Sequence, residues 1–281
     1  MQDHDPVELR ADASKLKTII NGVTQLQISE VKLQLKDDRV LLRAKDPADA
    51  LLYAARMDQS FFEEYNRGDF SEVGVEVDPL LSTLEKMDGS TKITYAAGED
   101  SLNRVAIKGR NDVVRFGGID PEYVQSGIEA VPDLDFPVVG TLDSSVMDDF
   151  TGKASGIIGS TDCIIRHRGE GLDFYSEKDG NDVYRRAESP KFELKQFVKE
   201  HRATLLDHQR GMDADDVSES VFGMDFISGI PFESDGVEIS LGNDQPIRFV
   251  YEMYDGVSVS WIVTPRIPGA SDRRSIPEGI Y

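Results

Sequence analysis

The chain holds one cysteine in 281 residues, Cys163. A single thiol excludes an internal disulfide framework and any cysteine-rich zinc site. Its setting in the apolar run Cys163-Ile-Ile165 marks a packed strand residue rather than a nucleophile. Histidine is nearly as scarce: His4, His167, His201 and His208 are the whole set. His201 and His208 miss the i, i+4 spacing of a zinc-binding helix face, so neither a metal nor a cofactor is expected. No stretch approaches eighteen apolar residues, and Met1-Gln-Asp-His-Asp-Pro6 is polar and acidic. The expectation is therefore a cytoplasmic protein without a membrane span or secretory signal. A Gly-rich phosphate loop followed by Lys-Ser/Thr is missing, as is a Gly-x-Ser-x-Gly elbow. Acid pairs such as Asp215-Asp216 are too common in this composition to nominate an acid–base pair. An acidic hydrolase using two carboxylates stays only as an alternative class, with no catalytic residue to name.

Positive charge is the other shortage. Lysine (13) is outnumbered by arginine (18), and 52 acidic residues against 31 basic ones leave a net charge of −21. The acids run from Asp3 to Glu278 rather than massing in a tail, and 39% hydrophobic content suits a globular protein. A surface of this kind suits a cytoplasm of very high salt, where repulsion is screened within a few ångströms. At moderate salt it repels a phosphate backbone, so any nucleic-acid role has to be argued against the mean charge.

The hydrophobic pattern divides the chain into two halves with the same order of parts. In the first, Val7 to Arg10 reads as a strand and Leu16, Ile19, Ile20 and Val23 as the apolar stripe of a helix, leaving Lys15 and Lys17 outside it. Alternating strands follow at 31–35 and 39–43, then a strand at 51–57 and another at 73–77. Asp78-Pro79 predicts the cap and first position of a second helix with Leu80, Leu81, Leu84 and Met87 inward. Strands at 92–96, 104–108 and 113–116 end the half. The second half repeats strand (138–142), helix (Val146, Phe150, Ala154), three strands, a strand running into a short helix over Val221 to Ile230, and three closing strands. Between them, Gly118 to Asp133 carries Gly and Pro breakers without a clear period and reads as a linker. The expected divisions are 1–118, a connector at 119–137, 138–267 with an insertion around 190–216, and a tail at 268–281. That insertion is a basic island, with Lys191, Lys195, Lys199, Arg202 and Arg210.

Two segments anchor a resemblance. Val257-Ser-Val-Ser-Trp-Ile-Val-Thr-Pro-Arg-Ile267 alternates from Val257 to Trp261 and stops at Pro265. It resembles the closing strand of the DNA polymerase sliding clamps, the proliferating cell nuclear antigen family, which ends on a small residue, Pro, a basic residue and Ile. Leu42-Arg-Ala-Lys-Asp-Pro-Ala-Asp49 is similar to the Asp-centred strand end of that family's first domain. With the acidic composition, the resemblance is to a divergent clamp of haloarchaeal or haloarchaeal-virus type.

The resemblance implies an α+β fold of two topologically similar clamp domains, with helices on one side of antiparallel sheets. It implies a non-enzymatic homotrimeric ring that encircles duplex DNA and tethers DNA polymerase, the clamp loader and other proteins bearing a clamp-binding motif. The DNA-facing residues would be Lys15, Lys17, Lys86 and Lys153. The partner-peptide pocket would comprise Lys45, Asp46, Ala50, Leu52, Ile128, Pro246, Ile262, Val263, Thr264 and Pro265, with Lys45 standing where the family has an apolar residue. The subunit interface would set Asp112, Val113, Val114, Arg115 and Phe116 against Asp182, Val183, Tyr184, Arg185 and Arg186. Gly117-Gly118 departs from a strand-forming sequence there, and the fourth helix has no basic residue. The competing reading is a divergent clamp homologue, monomeric or heteromeric, serving as a scaffold for replication proteins.

Overall fold

In the computed structural model the chain forms two units, Met1–Pro132 with Glu252–Ser260, and Asp133–Tyr251 with the chain from Trp261 onward. The structure describes residues 5–97, 103–168, 171–188, 193–194, 216–232 and 234–266. Most of the expected insertion, including its basic residues, His201 and His208, lies outside these, as do His4, Ile267 and the tail.

The first unit opens with β1 (Val7–Asp12), whose Val7, Leu9 and Ala11 point inward in strict alternation. Asp12 then caps α1 (Ala13–Asn21), and Leu16, Ile19 and Ile20 are buried along its stripe. Hairpins β2 (Glu30–Leu35), β3 (Arg39–Lys45) and β4 (Leu51–Asp58) follow, then β5 (Glu64–Asn66) and β6 (Glu72–Glu76). After α2 (Val77–Leu84) come β7 (Ser90–Ala97), β8 (Asn103–Lys108) and β9 (Val113–Gly117). The strands lie in the orders β5-β1-β7-β8-β9 and β6-β2-β3-β4.

The start of α2 differs from expectation. Glu76 occupies the cap position without a side-chain bond, which places Asp78 and Pro79 in the first turn. The helix therefore turns Val77, Leu80 and Leu84 inward at i, i+3, i+7, and Leu81, one step round from Leu80, is only half-buried.

The second unit runs β10 (Val138–Asp143), α3 (Ser144–Gly156), β11 (Asp162–Arg168), β12 (Gly171–Lys178), β13 (Asn181–Glu188) and β14 (Glu193–Leu194). It continues through β15 (Asp216–Gly223), α4 (Met224–Ser228), β16 (Gly236–Leu241), β17 (Ile247–Tyr254) and β18 (Val257–Val263). Its orders are β14-β10-β16-β17-β18 and β13-β12-β11-β15. Shifting each label by nine converts one unit's strand order into the other's, so the repeat legible as pattern is a repeat of topology. Every pairing register between named strands is antiparallel. α4 is shorter than the 221–230 span suggested by its apolar residues, because Val221 and Phe222 belong to β15.

Each unit has its own core. Ile19, Val23, Leu26, Val40, Leu42 and Tyr53 are fully buried in the first, where the Tyr53 hydroxyl donates to the Ile19 carbonyl at 2.7 Å. In the second, Phe150 of α3 packs on Phe174 of β12 with ring centroids 5.5 Å apart. There the buried Trp261 donates its Nε1–H to the Tyr251 hydroxyl at 3.2 Å. Cys163 is wholly buried, which pushes its thiol far above the ordinary range and leaves it inert.

Candidate functional site

The helices present the first surface. Asp12 Oδ1 accepts the backbone N–H groups of Ser14 (2.9 Å) and Lys15 (3.2 Å). The Ser14 hydroxyl, also donating to Asp12, is the main reason that carboxyl titrates below its usual range. Lys15 and Lys17 leave α1 on its uncovered side. The Lys15 ammonium lies 5.5 Å from the centre of the Tyr254 ring, and Lys17 reaches Glu85 at 2.9 Å. Lys86 is exposed just past α2 and makes no ion pair among the described residues. In the second unit Asp143 caps α3 through the Ser145 N–H at 2.9 Å. Lys153 is bound one turn back to Asp149 at 2.7 Å, while Asp148 and Asp225 stand exposed nearby in sequence on α3 and α4.

The turn after β3 is the second surface. Asp46 is buried, and its Oδ1 accepts the N–H groups of Ala50 and Leu51 at 2.7 Å each while Oδ2 takes that of Ala48 at 3.3 Å. This carboxylate therefore builds the turn. Across its mouth Lys45 pairs with Asp49 at 2.6 Å, with Asp49 in the left-handed region at φ 57°. The connector is fastened alongside. The Lys45 N–H donates to the Ser126 carbonyl (3.1 Å), the Ile128 N–H to the Arg43 carbonyl (3.3 Å), and the Ser126 hydroxyl to the Glu30 carbonyl (2.6 Å). Arg43 also donates to the Glu129 carbonyl. Farther back, Ile119 bridges to Gly74 and its carbonyl accepts the Tyr95 hydroxyl at 2.9 Å.

The third surface is a pair of strands at sheet edges. Among the described residues β9 pairs only with β8, and β13 only with β12. On β9, Val113 is 44% and Val114 37% exposed, Asp112 and Arg115 are exposed, and Phe116 is half-buried. On β13, Asp182 and Arg185 are exposed and Val183 is half-buried, whereas Tyr184 and Arg186 fold back onto Asp173. The wholly buried Asp173 Oδ1 accepts both the Tyr184 hydroxyl and the Arg186 guanidinium at 2.8 Å. Burial first, and that bond second, push the Tyr184 phenol up to about 12. Gly117-Gly118 does not end β9 early. Gly117 pairs with Arg104, and Gly118 passes so close to Tyr95 that a Cβ would lie 2.8 Å from its ring, so a small residue is needed for the crossing to Ile119.

No family model matches the chain. Among curated proteins it is similar to the DNA polymerase sliding clamp of Pyrococcus furiosus, 22% identical over 259 residues that cover 91% of this chain and 96% of the relative. The DNA polymerase sliding clamp of Methanothrix thermoacetophila is 24% identical over 260 residues, 91% of this chain and 96% of its own. Among solved structures, the complex of the FEN-1 C-terminal region bound to A. fulgidus PCNA superposes with a TM-score of 0.75 at 20% identity, covering 94% of this chain and 99% of that one. The structural match establishes the fold, and the sequence matches run nearly end to end. Over almost its whole length the chain is similar to the PCNA family of sliding clamps.

Of the residues expected at the clamp's partner pocket, Lys45, Asp46, Ala50, Leu52 and Ile128 gather in the first unit around the β3–β4 turn and the connector laid beside it. Pro246, Ile262, Val263, Thr264 and Pro265 belong to the second unit. There Ile262 and Val263 are buried, and Pro246, Thr264 and Pro265 are half-buried. The chain end after β18 is pinned by the Arg266 N–H to the Val221 carbonyl (2.7 Å) and by its guanidinium to Asp162 (2.5 Å). Sequence reasoning missed a cavity of about 680 Å3 in the first unit, lined by Lys45 and Asp46 together with Gln27, Glu30, Tyr123 and Gln125. Tyr123, 74% exposed, carried the one available signal: an aromatic residue in a connector with no apolar period. Among the described residues, no group of three His, Cys, Asp or Glu side chains is arranged to hold a metal, and no helix is long and apolar enough to cross a membrane.

Proposed function

We propose that this clamp is a DNA polymerase processivity factor, three copies of which close into a ring around duplex DNA and tether replication and repair enzymes there. The supporting observation is the pairing state of four strands. β9 and β18 hold the same place in their strand orders, as do β13 and β4. Along its first part, which groups with the first unit, β18 neighbours β4, whereas β9 and β13 each have a neighbour on one side only. Setting β9 of one copy against β13 of the next repeats between chains the relation that β18 and β4 have within one. Such a head-to-tail contact closes into a ring when its rotation divides the circle. Exposed Val113 and Val114 favour a covered rather than a solvated edge.

Lys15, Lys17 and Lys86 belong to the wall facing DNA in this reading, and encirclement makes sequence-neutral contacts sufficient. Polymerase, clamp loader and other partners dock a short helical motif at the β3–β4 turn. A solved PCNA of similar fold carries the C-terminal region of FEN-1, which supports the binding of partners. The ring performs no chemistry, and the −21 charge fits a high-salt cytoplasm.

The deciding experiment has two parts. In high-salt buffer the solution mass should be three times the 31.2 kDa chain. Protein loaded on circular duplex should persist at salt that abolishes ordinary electrostatic binding and leave when the circle is cut. A monomer at every salt concentration, or retention unaffected by linearisation, overturns encirclement. Lys45→Leu should tighten a clamp-binding peptide by about fivefold at most, since the exposed Lys45–Asp49 pair that the peptide displaces contributes no more than ~1 kcal/mol. Unchanged or weaker binding would move the pocket elsewhere.

A further inference from the structure

We infer that α1 is the helix that touches duplex DNA, and that the α3–α4 face of the second unit stands off from the phosphates. The inference rests on the encirclement reading and narrows it to one helix. α1 carries Lys15 and Lys17 with no acidic residue between Ala13 and Asn21, so among the described helices it is the one with a net positive charge. α2 and its exit place Lys86 among Asp78, Glu85 and Asp88; α3 sets Lys153 against Asp148 and Asp149; α4 has Asp225 and no cation.

The contacts sharpen that count. Lys15 lies against the Tyr254 ring, a contact that positions an ammonium without cancelling its charge. Lys17 is paired with Glu85 at 2.9 Å, but both side chains are largely exposed, and a pair of that kind is weak enough to yield to a phosphate. Lys153 is held differently. Asp149 meets its ammonium with both oxygens, at 2.7 and 2.8 Å, within one helix turn. Exposed Asp148 adds an uncompensated negative charge one residue away. A phosphate approaching α1 finds two cations on a helix without a carboxylate; one approaching α3 finds one exposed lysine among two carboxylates of the same helix.

The test is photo-crosslinking on clamp loaded onto circular duplex. p-Benzoylphenylalanine replaces Asn21, one turn beyond Lys17 on the same face of α1, or Gly152, one turn beyond Asp148 on α3. Both positions are exposed, and a Cβ at Gly152 meets nothing within 4 Å. DNA adducts should be about tenfold more abundant from position 21, and adding Lys15→Gln and Lys17→Gln should cut that yield about fivefold. An unchanged melting temperature would show that the double variant is folded. Equal or greater adducts from position 152, or a position-21 yield indifferent to the two lysines, overturn the inference. If neither position crosslinks while the clamp stays on the circle, the inference fails and encirclement stands. If the clamp does not stay on the circle, encirclement itself fails.

Discussion

β9 and β18 are the same strand in two copies of one topology, and they live in opposite surroundings. β18 buries Val257, Val259, Trp261, Ile262 and Val263 and has neighbours on both sides. β9, Val113-Val-Arg-Phe-Gly117, has one neighbour and no fully buried side chain. The same contrast separates β4, enclosed and apolar, from β13, whose Tyr184 and Arg186 are drawn back onto Asp173. A strand's place in a fold thus fixes its direction and partner on one side, while the sequence on its free side decides whether it closes a core or stays open. One such pair is enclosed, and among the described residues the other is open on one side.

The sharpest test of the contrast is stability. Trp261→Ala should cost about 3–5 kcal/mol of unfolding free energy, read from denaturant midpoints. Phe116→Ala on half-buried β9 should cost about 1 kcal/mol or less. Similar losses would mean that the two strands are equally part of their cores. Assembly should respond the other way round. Val113→Asp with Val114→Asp should weaken self-association by about thirtyfold, as the loss of a small apolar anchor does, and leave the melting temperature of the separated chain nearly unchanged. A sedimentation profile identical to that of the parent chain would remove β9 from the interface.

Salt sharpens the comparison further. Arg115 on one edge and Arg185 on the other are exposed like charges, in a chain already strongly self-repelling. Dilution to about 0.1 M salt, where repulsion extends to ~10 Å before it is screened, should dissociate the assembly before the units melt. Simultaneous loss of mass and structure would show that the edges are no weaker than the cores.

The smallest expected effect concerns the caps that the two units share. Asp12→Ala should cost about 1 kcal/mol, a typical loss for an N-cap, and Asp143→Ala should act in the same direction. Hydrogen bonds, foremost from Ser14 and Ser145, hold both carboxyls below their ordinary 3.8. The stabilisation they give is therefore complete above that value and is lost as pH falls through the lowered folded value. Thermal melts of Asp12→Ala and the parent chain should differ at neutral pH and converge in acid; a constant difference would exclude the ionised cap as its source.

The sequence alone determined the parts and their order. Strand alternation at Val7–Ala11 and Val40–Ala44, and the helical stripe through Leu16, Ile19 and Ile20, follow from local periodicity, which neighbours in space reinforce but do not create. It also carried the resemblance to the sliding clamps, through the strand ends around Asp46 and Pro265. Tertiary structure decided the rest, because the deciding partners are distant in sequence. Gly118 reads as a strand breaker until Tyr95 is seen against it. The turn-building role of Asp46 is visible only once the N–H groups of Ala50 and Leu51 are found on its oxygen. The connector has no period because it is held by hydrogen bonds to β3, not by a buried face of its own. Lys17 and Lys153 are alike in sequence as single lysines on helices, yet one reaches across to a neighbouring element and the other is closed within its own turn. Only three-dimensional placement separates a lysine paired across elements from one paired within its own helix.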